Sequence, residues 1–118
     1  MANELRIGIT LAFLKSGATL NRTITKEITV SGDAFNHDVQ EIGTTEEVLA
    51  QGADLGTPGY VLIINLDSTN YVEIGSTTGV YDIKIPAGEA ALYRHNSATI
   101  YAKANTSACL VEYIIIEA

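Results

Sequence analysis

Tryptophan is absent from these 118 residues, cysteine occurs once and proline twice, and each scarcity narrows what the chain can be. A lone cysteine, Cys109, cannot close an internal disulfide, so the fold must stand on packing and hydrogen bonds. The two histidines, His37 and His95, fall short of the three or four ligands that a zinc site needs. No apolar run approaches the roughly 20 residues of a membrane-spanning helix, and the first residues alternate charged with apolar side chains where a secretory signal would be continuously apolar. The expectation is a chain made in a cytoplasm, with no membrane partner. Basic residues are missing altogether between Lys26 and Lys84, a stretch that holds ten acidic side chains. Residues 1–26 run the other way, with Arg6, Lys15, Arg22 and Lys26 against Glu4, a balance of +3. An acidic middle repels phosphate backbones, so no nucleic-acid partner is expected.

What is present is β-forming. Leu5, Ile7, Ile9, Leu11 and Phe13 occupy every second position, which places five apolar side chains on one face of a strand. Ser16-Gly17 supplies a turn, and the alternation resumes through Leu20, Ile24, Ile28 and Val30 on a Thr-rich second strand. These segments read as a long N-terminal antiparallel hairpin. Arg22 and Lys26 interrupt the apolar face of its second strand, which marks that face as exposed or covered by another chain. Leu5, Ile7, Arg22 and Lys26 are the candidate assembly residues, with packing in the monomer core as the alternative for Leu5 and Ile7, while Ile9, Leu11 and Phe13 are assigned to the core.

Short strands follow at 35–42, near 44–49, at 60–66, 71–75, 80–85, 89–94, 99–103 and 109–117, with residues 52–59 as loop. The corners are Asp67-Ser68-Thr69-Asn70, Pro86-Ala87-Gly88 and His95-Asn96-Ser97. Segments 60–66 and 109–117 are apolar on both faces and read as strands covered on both sides, the last of them central in a sheet. The whole pattern predicts one all-β domain over residues 1–118, a β-sandwich of jelly-roll type. An immunoglobulin-like sandwich is second, because the Cys-Trp-Cys pattern is missing.

Candidate chemistry is thin. His37-Asp38 has no third ligand nearby in sequence, Gly88-Glu89 with His95 lacks the paired histidines of a cupin metal site, and no nucleophile elbow occurs. Asp67–Asn70 lacks the glycine and the final glutamate of an EF-hand loop and reads as a turn. Cys109 reads as a small buried hydrophobe. No catalytic, cofactor or metal residue is assigned, and the chain is not expected to be an enzyme.

From Gly59 onwards the order of motifs is more particular. An apolar strand, Tyr60-Val61-Leu62-Ile63-Ile64, ends in Asn65-Leu66-Asp67; Val72-Glu73-Ile74-Gly75 follows, then an Ala87-Gly88-Glu89 corner, Ile100-Tyr101-Ala102, and the closing strand Val111–Glu117. This half of the chain resembles small virion structural proteins of tailed phages. The resemblance implies a capsid decoration (cement) protein, often a homotrimer, that binds the phage major capsid protein or another virion protein and stabilises the shell. It also admits a neck or tail-fibre accessory module binding a host glycan or receptor, for which Tyr60, Tyr71, Tyr81, Tyr93, Tyr101 and Tyr113 would be the stacking candidates. All six tyrosines are expected in strands.

Overall fold

The computed structural model describes residues 3–118 and is all-β. It divides into two compact units, the hairpin up to Ser31 and the segment Gly32–Ala118, where the sequence pattern reads as one domain.

The first unit is β1 (Leu5–Lys15) paired with β2 (Ala18–Ile28), antiparallel along the full eleven residues of each. Ser16 and Gly17 both have positive φ, 51° and 84°, as a two-residue type I′ turn requires. That turn twists with the strands and fixes the register, so Lys15 faces Ala18 and Leu5 faces Ile28. At about 3.3 Å per residue the ribbon is roughly 36 Å long.

The second unit is a sandwich of two four-stranded sheets. One has the order β3 (Phe35–Ile42), β10 (Cys109–Glu117), β5 (Pro58–Asn65), β8 (Ala90–Arg94). The other runs β4 (Glu47–Val48), β9 (Tyr101–Ala104), β6 (Val72–Gly75), β7 (Ile83–Ile85). Every connection except β6–β7 crosses from one sheet to the other, and the two orders interleave as in a jelly roll. Strands β3 and β10 fall within the expected ranges, and β10 is central. Strand β5 starts at Pro58, inside the expected loop, and β7 begins only at Ile83, because Thr77 and Val80 bridge in a turn of their own. A Cβ on Gly75 would enter the Val80 backbone, so glycine is required where that turn folds against β6.

Alternation decides the core. Val111, Tyr113 and Ile115 of β10 and Val61 and Ile63 of β5 point inward, against Val72, Ile74, Ile85, Ala102 and Ile100 from the other sheet. The Tyr113 hydroxyl is satisfied by donating to the Ala50 carbonyl at 2.7 Å. Asn65, fully buried, ties a corner together: Nδ2 donates to the carbonyls of Asn70 (2.9 Å) and Ile85 (3.0 Å), and Oδ1 accepts from the Asp67 amide (3.0 Å). Glu117 does the same where β10 ends, accepting from the Asp33 amide at 3.1 Å and the Gly56 amide at 2.6 Å. Those two bonds hold its carboxyl below the usual glutamate range. Cys109 is buried in the core, as its sequence context suggests, and burial raises its thiol pKa.

The core assignment of Ile9, Leu11 and Phe13 is corrected by the structure. They are 43%, 60% and 52% exposed, because they belong to a two-stranded ribbon and not to either sheet of the sandwich.

Candidate functional site

Cross-strand partners share a face, so the hairpin register sorts its side chains without ambiguity. Leu5·Ile28, Ile7·Lys26, Ile9·Ile24, Leu11·Arg22 and Phe13·Leu20 lie on one side. Arg6·Glu27, Gly8·Thr25, Thr10·Thr23, Ala12·Asn21 and Leu14·Thr19 lie on the other, where the Thr10 and Thr23 hydroxyls sit 3.2 Å apart. The four candidate assembly residues therefore meet on one face. Leu5 and Ile7 are half-buried, whereas Arg22 and Lys26 are exposed and stand directly opposite Leu11 and Ile7. The rest of that face is apolar, with Ile24 and Ile28 half-buried and Ile9, Leu11, Phe13 and Leu20 exposed. An isolated hairpin is at best marginal in water, and one carrying an apolar stripe of this length needs a cover.

A second open face was missed by sequence reasoning. On the β3-β10-β5-β8 sheet the side chains turned away from the core are Leu110, Ile114 and Ile116 of β10 and Leu62 and Ile64 of β5. Phe35 and Val39 of β3 and Leu92 of β8 lie on the same side. Phe35 is 72% and Leu110 50% exposed. The signal was in the sequence, in strands apolar on both faces, but it was read as cover on both sides. The structure provides cover on one. Polar groups on this face are few: His37 Nε2 meets Glu112 Oε2 at 2.8 Å, Glu41 lies beside Leu110, and Arg94 sits over the Tyr60 ring at 5.3 Å.

The other outer face is built differently. Lys84 lies 4.3 Å from the Tyr71 ring centroid and Lys103 5.9 Å from that of Tyr81, so ammonium groups stand over both rings. Tyr71 and Tyr81 precede β6 and β7 instead of lying in them, contrary to the sequence expectation. Glu46 gathers the neighbouring turn, accepting from the Thr78 hydroxyl, the Gly79 amide (2.7 Å) and the Tyr81 hydroxyl (2.5 Å). These bonds lower the Glu46 pKa and push that of Tyr81 up to about 12.

A cleft of about 160 Å³ is lined by residues that include Ser76, Asp82, Tyr93, Arg94 and His95. It is smaller than the roughly 300 Å³ at which small-molecule sites begin. His95 is buried beside it with both ring nitrogens engaged: Nε2 donates to the Thr99 carbonyl at 2.7 Å, and Nδ1 lies 3.2 Å from the Tyr93 hydroxyl. That imidazole braces a corner. Among the described residues, no three His, Cys, Asp or Glu side chains group as metal ligands would.

Comparison with protein families, curated proteins and solved structures finds no match.

Proposed function

We propose that this chain is a structural protein of a phage particle, a capsid decoration (cement) protein that assembles as a homo-oligomer and binds the shell. One observation carries the reading: an eleven-residue amphipathic ribbon leaves its apolar face open, with two cations set into it. A face of that kind is useful only where another chain lies on it, which is what a particle provides. The β-sandwich with jelly-roll order is an architecture that viral capsid domains use, a support at the level of fold alone. The motif order from Tyr60 to Glu117 supports the same reading. Glycan binding by a tail-fibre module is less well served, since lysine ammonium groups stand over the Tyr71 and Tyr81 rings that would stack on a sugar.

The test is native molar mass by light scattering, first on the chain alone and then with purified phage shells lacking it. A discrete oligomer that binds shells at a saturable copy number is the expected result. A chain that leaves the shells bare sinks the decoration role.

A further inference from the structure

Each chain presents two open apolar faces of unlike charge: the hairpin face, with Arg22 and Lys26, and the outer face of the β3-β10-β5-β8 sheet, with Glu41 and Glu112. We infer that these faces are made for each other across copies, the hairpin of one chain lying as a third layer on the outer sheet face of a second. The inference rests on the reading of the hairpin as an assembly arm and names the surface that receives it.

Three features of the two faces support the match. The first is charge. The hairpin unit, residues 1–31, has four basic and two acidic side chains, and the sandwich, residues 32–118, has three basic and twelve acidic, giving +2 against −9. On the faces themselves the signs also oppose. Glu112 lies at the middle of the receiving sheet and Glu41 on β3 two residues along from its partner Val39. Arg94 lies towards the other end, where Tyr60 pairs with it. An arm placed over the Glu41 end thus brings Arg22 and Lys26 to carboxylates and away from the one guanidinium. Such pairing chooses register and partner more than it adds affinity.

The second feature is shape. Both faces are pleated sheets, and sheets stack about 10 Å apart with interdigitating side chains. The third is area. A ribbon about 36 Å by 10 Å covers roughly 350 Å² of flat surface on each partner, less than half the ~800 Å² per partner of a standard interface, so one such contact is weak and the two per chain that a closed ring provides are needed. Because every chain gives one arm and receives one, the contact is head-to-tail, and it closes into a ring when the rotation per step permits. A small ring of this kind is the expected homotrimer.

The experiment uses full-length chains and charge reversal. Wild-type protein is expected to run as a discrete multiple of 12.6 kDa by light scattering. R22E/K26E alters only the giving face, E41K/E112K only the receiving face, and each is expected to weaken association at least ten-fold and run as a single chain. The four-fold variant, with both signs reversed, is expected to recover the oligomer. Should E41K/E112K unfold by circular dichroism, Leu110→Asp, at an exposed position beside Glu41, replaces it with the same expectation. An oligomer lost with the arm variant but kept with the sheet variant means arm packs on arm, and overturns the inference. So does a wild-type chain that is monomeric at every concentration. If that monomer nevertheless saturates shells, the decoration role stands and only arm exchange falls; if it leaves them bare, both fall.

Discussion

The hairpin and the sandwich are written in the same alternating code and meet opposite ends. In β10, Val111, Tyr113 and Ile115 alternate with Glu112 and Ile114, and the inward set is fully buried because a second sheet lies over it. In β1, Leu5, Ile7, Ile9, Leu11 and Phe13 alternate just as regularly, yet the last three are exposed. The difference lies in what each face has to meet. Alternation tells which side chains share a face; what covers that face is decided by the rest of the chain or by another chain. Arg22 and Lys26 mark the distinction, since a monomer core does not take two long cations facing Leu11 and Ile7.

The sharpest way to break this comparison is to truncate one apolar side chain from each region. Ile63→Ala in the sandwich, where Ile63 is fully buried, is expected to cost about 2–5 kcal/mol by urea unfolding. Leu11→Ala in the hairpin, at 60% exposure, is expected to change monomer stability by no more than about 0.5 kcal/mol, measured at a concentration too low for association. In the assembled protein the same Leu11→Ala should raise the dissociation constant measurably. Equal costs in the monomer would mean that the hairpin face has a cover within its own chain.

A somewhat smaller effect comes from polar atoms. Asn65→Leu keeps the volume but leaves the buried Ile85 carbonyl, the part-buried Asn70 carbonyl and the Asp67 amide without their partner, and is expected to cost about 2–3 kcal/mol. Thr10→Val on the polar face of the hairpin removes only the exposed Thr10–Thr23 contact, for a few tenths of a kcal/mol, about the low end for a cross-strand pair. The same chemical loss thus separates a buried corner from an open ribbon. If Asn65→Leu were as mild as Thr10→Val, the corner would be accessible to water and the account of the core wrong.

Much of the fold was legible because it depends on local code. Gly and Pro corners with period-two strands located β3 and β10 within their ranges, and Ser16-Gly17 fixed the hairpin turn through the positive φ that such turns need. The placement of the candidate assembly residues was legible, since Arg22 and Lys26 stand out in the sequence as cations on an apolar face and the register puts them there. The placing of Ile9, Leu11 and Phe13 failed because periodicity carries no information about a second layer. The open outer face of the sandwich was missed for the converse reason. Leu62, Ile64, Leu110 and Ile114 looked like the second side of doubly covered strands, and only the sheet order puts them on an outer surface. The Glu117 clamp joins residues 61 and 84 positions apart in sequence, which no local pattern could indicate.

The smallest expected effect is a pH dependence located in the sandwich. Glu117, Asp67 and Glu46 each accept several hydrogen bonds in the folded state, and each has its carboxyl held below the ordinary value of 4.5 for Glu or 3.8 for Asp. A group with a lowered folded pKa contributes stability that is present above its ordinary value and lost as pH falls through the folded one. The melting temperature of the sandwich should therefore decline as pH falls through and below the ordinary values of these carboxyl groups. Glu117→Gln should lower the neutral-pH value and flatten that decline, because its single carbonyl oxygen accepts from only one of the Gly56 and Asp33 amides, its NH2 faces the other, and it no longer titrates. Tyr81, with its folded pKa raised by Glu46, has the opposite sense: its contribution is complete below about 10 and lost as pH rises through about 12. Glu46→Gln should bring the Tyr81 titration down in an ultraviolet pH series. A Tyr81 that titrates unchanged would show that the 2.5 Å bond to Glu46 does not persist in solution, and would detach that turn from the frame of the sandwich.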